Sequence, residues 1–465
     1  MPSQFIYNIV RKYHINAKSI GPLRIGSSSG DTEDVFMDPF EEKPMIQASG
    51  IAGAFRSYYK QIGYDDNELF GSPNTDIANG HIRFTDGILT NVNLEIRPRV
   101  KINSETGSVA SATANGSRTS RFGQKFNMAL IGADATLQFD LYVYLKNEDE
   151  KIIHPIEEMI SGLDHGELRL GGQKSNGCGE FEIEKVQVRS FDLRKEEDRN
   201  AWIEEEPLAK VLRGYDDITE SIHTLKSRHF VKYVVTMNAE VKDTLLVKSI
   251  SPIWHQDANF KNIDAENIYN VNGIPIIPGS SVKGSLRNQM ERIASYLATQ
   301  YGASKQELID RIFGTSSVDG VAGNIRFSDV VIQNNKEKLS VHNHIDKFTG
   351  STINRALFSD VSVAGDLVFK IEILKRGISD IERRNTEATL GLLLLALRDT
   401  AIGEVTFGSG FANGKGHIEV SKIKIEDMEN EGRAEIDFNT NQQTNTTMIN
   451  HALQALKRSY SYDEL

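Results

Sequence analysis

Four groups of residues in this 465-residue chain have the types and spacing to hold an anionic polymer. The segments Gly171-Gly-Gln-Lys-Ser-Asn-Gly-Cys-Gly179 and Gly408-Ser-Gly-Phe-Ala-Asn-Gly-Lys-Gly416 are rich in glycine, which lets backbone amides approach phosphate oxygens, while Lys174 and Lys415 add charge. Glycine also serves tight turns, so it is the two copies at matching positions that favour phosphate contact. Pro278-Gly-Ser-Ser-Val-Lys-Gly-Ser285 looks superficially like a nucleotide P-loop. Its lysine precedes the glycine, however, and the spacing is too short. Ser280, Ser281, Lys283 and Arg287 instead fall in the first turns of a predicted helix, where free amides and the helix dipole attract an anion. The other reading is an ordinary capped helix with exposed basic residues; if an anion binds, an RNA backbone suits best.

The third group lies between Arg97 and Asn127, where Arg97, Arg99, Lys101, Arg118, Arg121 and Lys125 face a single acid, Glu105. Such a stretch is either a solvated loop or an arm reaching over a phosphate chain. The fourth is His342-x-His344, which lacks cysteine partners nearby, so nucleic-acid contact or simple exposure is favoured over a zinc site.

The glycine loops and the helix phrase recur because the chain is duplicated. Pro44-Met-Ile-Gln-Ala-Ser-Gly-Ile-Ala-Gly-Ala-Phe-Arg56 echoes Pro275-Ile-Ile-Pro-Gly-Ser-Ser-Val-Lys-Gly-Ser-Leu-Arg287, with Pro, Ile, Ser, Gly and Arg in step. Phe70-Gly71 and Ile82-Arg-Phe-Thr-Asp86 return as Phe313-Gly314 and Ile325-Arg-Phe-Ser-Asp329. Ile102-Asn-Ser-Glu-Thr-Gly-Ser108 matches Ile345-Asp-Lys-Phe-Thr-Gly-Ser351, and Asn176-Gly-Cys-Gly179 matches Asn413-Gly-Lys-Gly416. Order and spacing hold through most of both halves, which makes this a tandem repeat of one domain.

Each half predicts an opening strand (5–17 and 231–241), a helix after the Pro…Arg phrase (49–62 and 280–301) and a strand at Ile-Arg-Phe. A second helix (386–399 in the second half) and a closing strand (181–188 in the first) follow. Ser49 and Ser280 suit helix N-caps. The order β-α-β-β-α-β is the ferredoxin-like or RNA-recognition arrangement, giving an α+β fold of two domains with inserted loops. The expected divisions are a first domain at 1–191, a charged connector at 192–229, a second domain at 230–424 and a tail at 425–465. In that tail a polar stretch at 439–447 reads as a flexible linker before a short terminal helix.

Composition sets limits. The apolar fraction of 39% and charged fraction of 25% are those of a soluble globular protein. No apolar run reaches membrane-spanning length, and the N-terminus lacks the basic-then-apolar order of a signal peptide. A single cysteine, Cys178, excludes an internal disulfide and a multi-cysteine zinc site, and points to a reducing cytoplasm. The net charge of −11 argues against bulk nucleic-acid binding but not against a local basic track.

The phrase at 277–287, followed by Ile312-Phe-Gly314, His344-Ile-Asp-Lys-Phe-Thr-Gly350 and the late glycine loop, resembles the RAMP superfamily. More narrowly it resembles the backbone subunits of type III CRISPR effector complexes. The likeness is looser in the first half, where Gln47-Ala48 replaces Pro-Gly and Ala52 replaces the lysine. The resemblance implies ferredoxin-like domains with inserted thumbs, assembled along a guide RNA, with a target single-stranded RNA and other effector subunits, including a large polymerase-cyclase subunit, as partners. It implies no membrane partner. Helix starts and glycine loops would hold guide phosphates, through Ser49, Arg56, Lys174, Ser280, Ser281, Lys283, Arg287 and Lys415. The thumbs fall at 97–127 and 342–358, carrying Arg97, Arg99, Lys101, His342, His344 and Lys347.

Some such subunits cut target RNA with an aspartate in the loop after the first strand, together with Mg²⁺ or another divalent metal. That position falls on Asp264, which would also be the metal ligand, with Asp257 and Glu266 the nearest other acids. In the first half the register admits Asp31, with Glu33 and Asp34 as reserves. A carboxylate there can hold a metal or help deprotonate a ribose 2′-hydroxyl. The joined backbone units point to the III-D branch. Two other readings stand beside this one. The first is an RNA-binding scaffold without an active aspartate. The second is the guide-precursor nuclease of the same superfamily, for which His14, Tyr58 and Tyr59 would supply a metal-independent cluster.

Overall fold

The computed structural model describes residues 7–26, 34–71, 80–100, 111–114, 117–123, 125–147, 150–209, 211–226, 230–249, 263–301, 305–315, 320, 322–375 and 380–460. The first repeat runs β1 (Ile9–Ser19), β2 (Met45–Ile46), α1 (Ala48–Gln61), α2 (Asn67–Phe70), β3 (Ile82–Phe84), β4 (Gly87–Thr90) and β5 (Leu94–Val100). It continues through β6 (Ser111–Ala114), β7 (Ser117–Gly123), β8 (Lys125–Ile131), β9 (Thr136–Leu145), α3 (Glu150–Asp164) and β10 (Phe181–Asp192). The connector supplies α4 (Glu196–Ile203), β11 (Asp216–Asp217) and α5 (Thr219–Thr224). The second repeat runs β12 (Val231–Val241), β13 (Ala265–Glu266), β14 (Ile276–Ile277), α6 (Gly279–Tyr301), α7 (Lys305–Phe313), β15 (Ile325–Phe327), β16 (Val330–Ile345), β17 (Thr352–Leu374) and α8 (Asp380–Ala401). It ends in β18 (Ile418–Asp427), β19 (Gly432–Asp437), β20 (Gln442–Thr444) and α9 (Thr446–Ser459).

The fold is α+β, and the same antiparallel core appears twice. In one sheet β1 lies between β10 and β9; in the other β12 lies between β18 and β17. Both central strands carry a register shift at the same Asn-Ala pair, Asn16/Ala17 and Asn238/Ala239. A shared bulge at one point of two strands is the structural signature of the duplication. Helix α1 buries Ile51, Phe55, Tyr58 and Tyr59, a single stripe at helical spacing, and α6 buries Val282, Leu286, Met290 and Ala294 in the same way.

The compact units are not contiguous in sequence. One comprises 1–94, 129–174 and 178–230; the other comprises 95–128, 175–177 and 231–465. The connector therefore folds into the first unit. Trp202 of α4 packs on Tyr142 and Phe191, and Glu205 reaches Lys12 at 2.7 Å. Lys12 is fully buried on β1, approaches Asp140 at 3.1 Å, and lies over the rings of Tyr142 and Tyr215. Nothing beside Lys12 in the sequence signals this, because both carboxylates that hold it come from distant parts of the chain.

The tail differs from the expected flexible linker. Strand β19 pairs with β18, β20 pairs with β19, and the Asn445 side chain caps α9 by accepting the Met448 N–H. Helix α9 buries Ile449, Ala452 and Leu456 against α8, where the Ala452 carbonyl sits so near Gly391 that a side chain there would collide with it. The polar residues at 439–447 form the exposed turns of this addition, which is why composition alone read them as a linker. Among the described residues no helix is long and apolar enough to cross a membrane.

Candidate nucleic-acid interface

The repeated phrases converge on the start of the first long helix in each repeat. Arg56 lies over the Phe70 ring and Phe70 stacks on Phe84 at 6.5 Å. Arg287 likewise lies over Phe313, which stacks on Phe327 at 6.4 Å. The echoed Arg, Phe-Gly and Ile-Arg-Phe are thus one cation–aromatic stack, built twice. The aspartate that ends each phrase caps the helix. Asp86 Oδ1 accepts the Ala48 N–H at 2.6 Å, and Asp329 Oδ1 accepts the Gly279 N–H at 2.8 Å. Ser49 and Ser280 therefore lie inside the first turn, not at the N-cap, because a carboxylate from a distant strand has taken that role. Gly279 is required where it stands: an added Cβ would lie 2.4 Å from the Phe327 carbonyl oxygen and 2.7 Å from that of Asn176.

Around the α6 start, unit 2 gathers cations. Lys283 is largely desolvated and donates to Ser175 Oγ at 3.0 Å. Burial, and then the charges of Arg287 and Arg99, push its ammonium down from the ordinary 10.5 to about 8. None of the causes of that shift is a carboxylate. Arg287 also donates to Glu291 at 2.7 Å, and Ser280 and Ser281 are half-buried beside it. A desolvated lysine beside two arginines is an arrangement that a phosphate would relieve.

Other expected RNA contacts are committed to protein. Arg97 is buried between Glu95 and Asp329, each at 2.7 Å, so its charge serves the fold. Lys415 is buried on Asp360 and is not presented by its loop. Arg56 is tied to Asp66 and to the Gly71 carbonyl. The glycine loops themselves are shaped by backbone crossing: Gly179 and Gly416 both adopt left-handed φ, +83° and +84°. A Cβ at these positions would fall 1.9 Å from the Leu170 carbonyl oxygen and 2.2 Å from that of Phe407. Their repetition reflects this crossing first. Lys174 is half-buried in a 3₁₀ turn at the rim of the first loop, and Ser49 is exposed. Lys101 lies outside the described residues, as do the side chains of Arg118, Arg121 and Lys125.

The second thumb is a long hairpin of β16 and β17. Its tip is ordered by Asp346, whose carboxylate accepts the Phe348 and Thr349 N–H groups and is held below its usual range by them. Lys347 and Phe348 are exposed at that tip, with the ammonium over the ring. His342 stacks on Phe358 at 4.9 Å, and His344 lies 6.0 Å from the same ring.

Asp264 is exposed on the segment leading into β13. Its Oδ2 accepts the Ser359 N–H at 2.7 Å, and its own N–H bonds the Ser359 carbonyl at 3.1 Å. Its Oδ1 accepts no hydrogen bond among the described residues, whereas Glu266, two residues on, is buried. Among the described residues no group of three His, Cys, Asp or Glu side chains could close around a metal ion. Among the described residues Asp264 is thus a single exposed carboxylate, whereas Mg²⁺ sites in general use one or two carboxylates with substrate phosphates and water completing the shell. Asp31, Glu33 and Asp257 lie outside the described residues. Asp34 is exposed, and its carbonyl accepts from Arg24 at 2.6 Å.

The metal-independent cluster does not form an accessible site. His14 is buried against Asp140 at 2.7 Å, Tyr58 is buried on Glu167 at 2.6 Å, and Tyr59 is buried in the core. Sequence reading passed over residues that the geometry brings forward. Asp86 and Asp329 were visible as an echo, and their fixed spacing from the helix phrase was the available signal. Asp360, which holds both Lys415 and His342, has no counterpart signal in the sequence.

The family model of the RAMP superfamily matches residues 16–182 and 246–419 of this chain. No curated protein matches it. Among solved structures, a chain of the cryo-EM structure of the type III-B Cmr-beta bound to cognate target RNA is similar at 22% identity and a TM-score of 0.30. That match covers 38% of this chain and 60% of the other.

Proposed function

This chain belongs to the RAMP superfamily, and from that membership and the α6 site we propose that it is a backbone subunit of a type III CRISPR ribonucleoprotein. In this reading it binds guide RNA and cleaves complementary target RNA at Asp264. The observation that carries the binding half is Lys283, a desolvated cation under the influence of Arg99 and Arg287 at a helix start. A phosphate of single-stranded RNA supplies the missing negative charge, and Ser280 and Ser281 line the same turn. The exposed thumb tip, with Lys347 and Phe348, offers a cation and a stacking ring to a nucleic-acid strand.

For cleavage, Asp264 presents one carboxylate oxygen to solvent while the other is fixed by Ser359. Asp264 would be the residue that holds Mg²⁺, and the ion would supply charge neutralisation at the scissile group. Asp264 itself orients that site and can accept a proton from the ribose 2′-hydroxyl. The first repeat cuts, in the same reading, through Asp31. The scaffold reading is favoured by a specific observation, the lack of a closed cluster of metal ligands among the described residues.

One experiment separates the two. Fragments of a guide-matched target are mapped with the assembled complex carrying Asp264→Ala, Asp31→Ala or both. Loss of one specific cut in each single variant, with a fall on the order of a thousandfold in rate, is the expected result. An unchanged ladder in Asp264→Ala, with target binding intact, leaves the second repeat a scaffold.

A further inference from the structure

Asp360 sits on β17 with only 5% exposure and meets two nitrogen-bearing side chains, Lys415 and His342, from separate parts of the chain. Its Oδ1 accepts the Lys415 ammonium from the glycine loop. Its Oδ2 lies 2.9 Å from His342 Nε2 on the adjacent thumb strand, an ion-pair distance off the line of a directed hydrogen bond. The same stretch of β17 holds the segment that bears Asp264. Strand β13 runs parallel to it, with Ala265 opposite Asp360 and Glu266 opposite Val361. Both hydrogen bonds of Asp264 go to Ser359, the residue before Asp360.

Resting on the reading of Asp264 as the cleaving carboxylate, we propose that Asp360 is its positioning residue, clamped by Lys415 and His342 so that Ser359 presents its N–H at a fixed place. Asp264 is exposed, and its ties to the described residues run through Ser359 alone. Whatever fixes β17 at residues 359–361 therefore fixes the carboxylate. A buried ion pair is a costly way to stabilise a sheet, since apolar residues of similar volume do as well or better. It is an effective way to hold one backbone register, because its attraction is strong and directional where water is excluded. Small displacements matter here: a shift of about 1 Å at a reacting group can reduce a rate by about a hundredfold. Lys415 thus acts on the site through Asp360.

The test uses the assembled, guide-loaded complex with Asp360→Asn, Lys415→Met and the double variant, beside Asp264→Ala. Cleavage rate at saturating target, target affinity and thermal midpoint are measured for each. Each single variant should slow the Asp264-dependent cut by about ten- to a hundredfold while target affinity holds. The single variants should also lose thermal stability, since each leaves a buried charge unbalanced. The double variant should regain the midpoint yet remain slow, which a purely structural role would not produce. Recovery of cleavage together with the midpoint overturns the proposal, as does an unchanged rate in Asp360→Asn. So does a loss of cleavage that merely tracks a loss of affinity. If Asp264→Ala still cuts, the reading of Asp264 fails and this inference with it. If Asp264→Ala is inactive while Asp360→Asn is not, only the positioning role fails.

Discussion

Lys283→Met tests the α6 site most directly. The fall of this ammonium from the ordinary 10.5 to about 8 corresponds to roughly 3 kcal/mol acting against the charged form in the RNA-free protein. The sign of its effect on folding follows. Because the folded state releases the proton more readily than the unfolded chain, the penalty is fully present below pH 8 and fades as pH rises towards the unfolded value. Removing the ammonium should therefore leave the RNA-free protein as stable at pH 7, or more so. Binding should move the other way. Each phosphate that a cation neutralises on single-stranded RNA adds about 0.7 to the steepness of log affinity against log salt, and the variant should be shallower by that amount. The interaction itself is worth on the order of tenfold in affinity. The wild-type protein should also bind more weakly as pH rises from 7 to 9, since only charged Lys283 attracts phosphate. Fluorescence titrations of a single-stranded RNA over salt and pH, with the full chain, measure both quantities. A variant with the wild-type salt slope and the wild-type pH profile would refute the assignment, whatever its affinity.

Two further outcomes follow from the same geometry. Lys12→Met takes the cation from the buried Asp140 and the half-buried Glu205, and should destabilise unit 1 by about 3–5 kcal/mol in denaturant unfolding. Asp86→Ala removes the carboxylate that caps α1 and should cost about 1 kcal/mol, read as a lower urea midpoint with an unchanged slope.

The duplication, both central strands and helices α1, α6 and α8 were legible because they rest on local signals: apolar spacing, glycine at turns and repeated phrases. What escaped the sequence was the pairing of charges. Lys12, Arg97 and Lys415 look like surface cations in any window of the chain, and each is buried on a carboxylate that only the fold brings near. Conversely, Lys283 stands out because its desolvation comes with like charges around it and no carboxylate among the causes of its shift. A lysine in a motif therefore says little about where its charge goes, because the carboxylate that holds it is set by the fold and not by its neighbours in the chain. The two repeats are not equivalent at the helix start. Ala52 stands where the second repeat has Lys283, so among the described residues α1 begins with an aspartate cap and no lysine at that step, whereas α6 has both. The duplication kept the same scaffold in both copies, the Arg-Phe-Phe stack and the Asp cap, while at the step four residues after the helix start the first copy carries Ala52 and the second Lys283.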